Sequence, residues 1–223
     1  MNQKFLFCIV LFSAHIHSME IQLTGNKFQE QVEQDAIEHV WKIRQASSVI
    51  VHSDRYPNAL ELLEKLIDEG VSVDSLSDYT GSGLSDMRNR TLLSFAVSYR
   101  RREIATILLL KGASVNQLSE GWIHPLYTAI WNGDLKMSKL LMYKSDIDVK
   151  NMRGYNEETI LHAAADNEIN NMSDLIPKLI ALGADVNVKN NVGQTALDIA
   201  YACKNEKAVE ILKEYGAQKS EQN

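Results

Sequence analysis

The chain has 223 residues, of which 45% are hydrophobic and 23% are charged, a composition typical of a folded, soluble protein. Its net charge of −6 excludes a generally basic surface, so the composition gives no support for binding nucleic acid. The length fits one elongated domain.

The first 18 residues predict a secretory signal peptide. Lys4 lies in a short polar n-region, Phe5–Ala14 is an uncharged apolar run, and Ile16 and Ser18 fit the −3 and −1 positions of a cleavage site. Ten apolar residues are too few to span a bilayer, so we expect export to the periplasm or the medium without stable membrane insertion. The alternative is a retained first strand or helix in a cytoplasmic protein.

Cleavage after residue 18 would leave Cys203 as the only cysteine. A lone thiol cannot form an internal disulfide, so we expect a fold that does not depend on oxidation. We interpret Cys203 as a small residue beside the core of the last repeat, with a redox role as the alternative.

The N-terminal part of the mature chain predicts an amphipathic helix followed by a degenerate repeat. Apolar residues recur about every four positions through residues 28–44, with Glu, Gln and Lys between them. We expect residues 19–57 to form a capping helix and its connection, because the end of a helical stack needs a polar outer face. Residues 58–90 predict a degenerate repeat and a long Ser/Gly-rich loop.

The rest of the chain contains a repeated pattern. Segments open at Thr91, His124, Thr159 and Thr195, which are 33, 35 and 36 residues apart, and two of them end in Gly-Ala-x-Val-Asn. A period of this length indicates stacked helix pairs, in which neighbours together bury a continuous core. The predicted units are residues 91–123, 124–158, 159–194 and a C-terminal capping unit at 195–218, followed by a polar tail at 219–223.

The openings HPLYTA at 124–129 and TILHAA at 159–164 resemble the T-P-L-H-x-A opening of the ankyrin repeat. The resemblance implies an all-α solenoid of helix-turn-helix units with short β-turn or hairpin loops. It also implies that His162 forms hydrogen bonds between neighbouring units.

Two further patterns predict how the units stack. Gly112, Gly183 and Gly216 follow their helices at the place where a left-handed residue ends a helix. Small residues recur where one inner helix must lie close to the next, at Ala96, Ala129, Ala164 and Ala200.

The sequence predicts no enzyme, no cofactor and no metal site. The histidines do not pair with cysteine or carboxylate at a zinc spacing, and Gly81-Ser82-Gly83 lacks the strand–turn–helix context of a nucleophile elbow. The alternative is a small enzyme that uses Glu38 and His39 of the N-terminal helix.

The resemblance implies a monomeric module that binds another protein through its concave face and turn tips. Arginine and aromatic residues are enriched where binding energy concentrates, and an arginine cluster favours a partner with an acidic patch. The alternative within the same fold is an inhibitor or immunity-type protein that blocks an enzyme. The predicted partner-binding residues are Arg88, Arg90, Tyr99, Trp122, Trp131, Asn132, Tyr155, Asp166, Asn167 and Asn191, with Arg100–Arg102 extending the basic part.

Overall fold

The computed structural model describes residues 27–54, 58–77, 90–117, 124–144, 147–166 and 171–220, with side chains from residue 38 onward except that of Tyr155. The predicted signal peptide, most of the long Ser/Gly-rich loop and the last three residues therefore lie outside the described residues.

The predicted solenoid of helix pairs is confirmed. The odd-numbered helices form one row, in which each packs on the next, and each even-numbered helix packs beside its inner partner. We call the two rows the inner and outer helices. They are α1 (Lys27–Val51), α2 (Ala59–Asp68), α3 (Leu92–Ser98), α4 (Arg102–Leu110), α5 (Pro125–Trp131), α6 (Leu135–Leu141), α7 (Ile160–Asp166), α8 (Ile176–Ala181), α9 (Ala196–Ala202) and α10 (Glu206–Glu214).

Short non-helical elements connect these pairs. A two-residue strand β1 (Leu76–Ser77) pairs antiparallel with β2 (Arg90–Thr91), directly before α3. Two 3-10 turns, Tyr155–Glu157 and Met172–Leu175, precede α7 and α8.

The predicted amphipathic helix is present as α1, and it continues as far as Val51. Ile43, Ala46 and Ile50 are buried, and Ser47 donates a hydrogen bond to the Ile43 carbonyl at 3.0 Å, so this serine is satisfied inside the helix. The helix packs on α2 and on α3 in the way that later inner helices pack on their partners. The C-terminal half of α1 thus serves as the first helix of the degenerate repeat.

The four predicted small residues lie where the inner helices meet. Ala96, Ala129, Ala164 and Ala200 are at most 1% exposed. A larger side chain at these places would separate neighbouring helices, because protein interiors are packed at crystal-like density. The core is therefore continuous from α1 to α10.

The last unit ends in a polar face that includes part of the predicted tail. The amino groups of Lys213 and Lys219 lie over the Tyr201 ring, at 5.4 and 3.7 Å from its centroid. The backbone N–H of Ser220 donates to Asp198 at 3.0 Å. Lys219 and Ser220, the first two residues of the predicted polar tail, therefore contact α9.

Left-handed residues end the helices, as predicted for Gly112, Gly183 and Gly216. The turn between the inner and outer helix of a repeat also contains a left-handed residue. It is Gly133 (φ 68°) in the second full repeat, but Arg100 (φ 57°) and Lys204 (φ 58°) occupy the equivalent position in the first and the last. A residue with a Cβ is strained in this region.

None of the described helices combines the length and the apolar character needed to cross a membrane.

We expect Lys204→Gly to raise the free energy of unfolding by about 0.5 kcal/mol. Relief of the left-handed strain is worth about 1 kcal/mol, and the greater freedom of glycine in the unfolded chain offsets part of it. Urea unfolding measures the change. Lys204→Ala is the control, because it removes the side chain but keeps the Cβ. An equal gain in both variants would contradict the backbone explanation.

Candidate functional site: the inner-helix face

The candidate site is the solvent side of the inner helices. One position per repeat points there, occupied by Ser98, Trp131, Asp166 and Ala202 at equivalent places in the four units. We call this row and its immediate neighbours the inner-helix face. Trp131 is its largest described side chain and is 49% exposed.

Trp131 is held by Tyr127, one helical turn earlier. The two rings stack with centroids 6.2 Å apart and planes 12° from parallel. Tyr127 itself is 3% exposed, and its hydroxyl donates to Glu158 at 3.3 Å. Because a buried ring anchors a partly exposed one, Trp131 is held in a defined orientation.

The loop that leads into the next repeat lies against the Tyr127 ring. At Gly154 an added Cβ would lie 2.0 Å from the Tyr127 Cζ atom, so only glycine allows the backbone to approach this closely. Gly154 N–H donates to the Glu158 carbonyl at 2.8 Å, which closes the loop. Asn156 and Glu157 inside it are both left-handed, with φ of 59° and 58°.

Sequence reasoning did not identify Tyr127, Gly154 or Glu158. The signal available for Tyr127 was its spacing of four from Trp131 within one helix, which places both rings on the same side. The approach of Gly154 had no signal in the sequence, because it depends on how an irregular loop folds back onto the helix.

The predicted arginines contact different parts of the molecule. Arg90 donates to the Ser98 hydroxyl at 3.0 Å, and Arg100 donates to the Asn132 carbonyl at 2.7 Å, so both reach along the inner-helix face. Arg101 instead forms an ion pair with Asp54 at 2.8 Å and donates to the Val51 carbonyl at 3.2 Å. Arg101 therefore fastens α1 to the first full repeat, and the predicted basic stripe is narrower than expected.

The structure also describes three of the other predicted residues, and one of them, Asp166, belongs to the row itself. Asp166 is exposed, and its carboxylate accepts from the Cys203 thiol at 2.9 Å. Cys203 is thus half-buried on this face and does not lie in the core. Asn191 is exposed at a turn, and its N–H donates to the Asn156 carbonyl at 2.9 Å. Tyr99 is half-buried against the core.

Arg88, Trp122 and Asn167 lie outside the described residues, as does the side chain of Tyr155. Their assignment to the binding face stays a prediction.

His162 connects the start of its own helix to the loop directly before the next unit, where the resemblance implies hydrogen bonds between neighbouring units. The Thr159 backbone N–H donates to Nδ1 at 3.1 Å, so the proton of the neutral ring lies on Nε2, which donates to the Gln194 carbonyl at 2.9 Å. Burial lowers the pKa of His162, against a smaller opposing effect of the Gln194 carbonyl. The ring is therefore a neutral structural element at pH 7.

The described residues contain no cluster of His, Cys, Asp or Glu that could hold a metal ion. Glu38, one of the two residues of the enzyme alternative, forms an ion pair with Lys42 at 3.0 Å on the same helix. A carboxylate in this setting is a solvated partner of a lysine.

Comparison with known proteins identifies the family to which these repeats belong. Residues 53–151 and 126–223 match the family model described as ankyrin repeats (3 copies). Alpha-latroinsectotoxin-Lt1a of Latrodectus tredecimguttatus is 31% identical over 144 residues, which are 65% of this chain and 9% of the toxin. An ankyrin repeat protein of fowlpox virus (strain NVSL) is 28% identical over 179 residues, 77% of this chain and 48% of that protein.

A third relative, neurogenic locus notch homolog protein 1 of Xenopus laevis, is 29% identical over 161 residues, which are 70% of this chain and 6% of that protein. The chain spans less than half the length of each of these relatives.

We expect the free energy of unfolding to fall as the pH is lowered from 7.5 to 5.5. The unfolded state binds a proton at His162 near pH 6.5, whereas the folded state, with its lowered pKa, does not. His124 contributes in the same direction, because burial lowers its pKa as well. His162→Gln should unfold more easily at both pH values and lose part of the difference between them. Urea titrations at the two pH values provide the measurement, and an unchanged pH dependence in the variant would contradict this role.

Proposed function

The chain belongs to the ankyrin-repeat family, and from that premise we propose that it is a non-catalytic module that binds another protein through the inner-helix face. Ankyrin repeats are generally protein–protein interaction modules. The mechanism is complementarity between two preformed surfaces, without a chemical step.

The observation that carries the proposal is the setting of Trp131. A tryptophan that is half exposed and fixed by a buried ring loses little side-chain entropy when a partner covers it. Residues of this type concentrate binding energy near the centre of interfaces. Trp131 lies on α5, in the third of the five described helix pairs, with two pairs on either side.

The charges around Trp131 suggest how a partner is oriented. Arg90 and Arg100 lie on the side of the first repeat, and Asp166 lies on the side of the third. Opposite charges on a partner would favour one direction of docking over the other. We therefore assign the acidic part of the partner to the Arg100 side.

We further propose that the module acts outside the cytoplasm, either in the periplasm or in the medium. The support is the pattern of the first 18 residues, a short n-region, an apolar run and a polar segment with a fitting cleavage site.

Trp131→Ala should weaken partner binding by about tenfold or more, because it removes a central exposed ring. The purified chain is used to capture partners from native cells, and the captured protein is then purified and titrated against each variant by calorimetry. Trp41→Ala is the matched control, since this tryptophan is 58% exposed on α1, two inner helices away from Trp131 and outside the four equivalent positions of the inner-helix face. Circular dichroism checks that both variants keep the helical content of the parent.

Equal affinity of the parent and Trp131→Ala would show that the inner-helix face is not the binding surface. Loss of binding in Trp41→Ala alone would move the site to the N-terminal helix.

For export, we expect the protein recovered from its own host to begin at Met19 and to be found outside the cytoplasm. Intact-mass measurement of the native protein gives the first residue. Val10→Arg should abolish export, because it interrupts the apolar run, whereas Gln3→Arg in the n-region should not. Native cytoplasmic protein that still begins at Met1 would refute the signal peptide.

A further inference from the structure

The outer helices α4 and α6 differ in charge from the rest of this acidic chain. Residues 102–111 and 135–144 contain five cationic side chains and one carboxylate, Glu103. By contrast, α2 contains three carboxylates and one lysine, and α10 three carboxylates and two lysines. The outer surface is thus most positive at two neighbouring helices in the middle of the stack, although Lys111 forms an ion pair with Asp68 of α2 at 3.2 Å. The remaining outer helix, α8, contains one lysine and no carboxylate.

The same two helices carry the most exposed large hydrophobic side chains of the described residues. Leu110 is 81% exposed and Tyr143 is 89% exposed. They occupy equivalent places at the ends of neighbouring repeats, where Lys144 Nζ donates to the Leu109 carbonyl at 3.0 Å and joins the two ends. At the same place the other outer helices have Asp68, Ala181 and Glu214.

One helical turn earlier, each helix has a second apolar residue. Ile107 lies three residues before Leu110, and Leu140 three residues before Tyr143; both are half-buried. Residues three apart on a helix lie on the same side, and Tyr143 follows two residues after the end of α6, so the ends of the two helices present two short apolar ridges side by side. We call Ile107, Leu110, Leu140 and Tyr143, with the surrounding lysines, the outer-helix patch.

We propose that the outer-helix patch binds an acidic amphipathic helix of a partner protein. A helix fits because its apolar side chains pack between two ridges, in the manner of helix-in-groove recognition. Its acidic flanks pair with Lys136 and Lys139, which are exposed, have no ion-pair partner among the described residues, and lie on α6. This surface is separate from the inner-helix face and does not depend on Trp131.

The charges argue against the two other occupants. A second copy that presented the same patch would bring the exposed Lys136 and Lys139 against the same two lysines. An anionic membrane is a broad plane, and it would also meet the carboxylates of α2, next to α4, and those of α10, beyond α8. A single helix, about 10 Å wide, covers the cationic region alone.

The test uses a synthetic peptide of about 16 residues in which leucine repeats at helical spacing among glutamates, a length at which helices begin to persist. A sister peptide has lysine in place of every glutamate. Nuclear magnetic resonance of the full chain follows the backbone amides during titration. The acidic peptide should shift the signals of residues 107–111 and 139–144, and its affinity should fall as salt is added.

Leu110→Ser combined with Tyr143→Ser should weaken binding of the acidic peptide by about tenfold, and so should Lys136→Glu combined with Lys139→Glu. All four residues lie on the surface or its edge, so the variants should keep the parent melting temperature. Trp131→Ala is the control and should bind the peptide as the parent does, which keeps this test independent of the proposed function.

Three results would overturn the proposal. One is equal binding of the lysine peptide, and another is signal changes outside the outer-helix patch or none up to about millimolar peptide. The third is cosedimentation with phosphatidylserine vesicles that Leu110→Ser and Tyr143→Ser abolish, which would assign the patch to lipid.

Discussion

The fold depends on one constraint: no helix pair in this chain can bury both of its apolar faces alone. Neighbouring pairs must stack, and the inner helices can approach one another only because alanine occupies the contact at residues 96, 129, 164 and 200. Each unit then completes the core of the next. The stability of any one repeat is therefore shared with its neighbours, and so is the geometry of its surface.

The setting of Trp131 shows this dependence. Its own helix supplies Tyr127, and the loop before the next repeat supplies Gly154, which lies against the Tyr127 ring, and Glu158, which accepts a hydrogen bond from the Tyr127 hydroxyl. An exposed side chain is thus oriented by its own helix and by the loop between two repeats. The same principle holds for His162, which contacts Thr159 at the start of its own unit and the Gln194 carbonyl in the loop before the following one.

The inner and outer rows of this repeated scaffold therefore present different surfaces. The inner row presents a fixed aromatic ring between groups of opposite charge, and the outer row presents two apolar ridges among lysines. Both surfaces lie in the middle of the stack, where neighbours hold the backbone on either side. The two proposals together describe a rigid module with binding faces on opposite rows of helices.

The sequence by itself determined the period, the helix pairs, the family resemblance, the positions of the small residues and the left-handed glycines at 112, 183 and 216. These features depend on contacts between residues close in the chain or one repeat apart, and so they leave a periodic pattern. The sequence also identified Trp131 as a candidate, but it did not identify the Tyr127 ring that stacks on Trp131. Only the tertiary structure decided that Arg101 pairs with Asp54, that Cys203 faces Asp166 and that Gly154 lies against Tyr127. Long side chains and irregular loops have many local conformations, and which one is adopted depends on partners that come together only when the repeats stack.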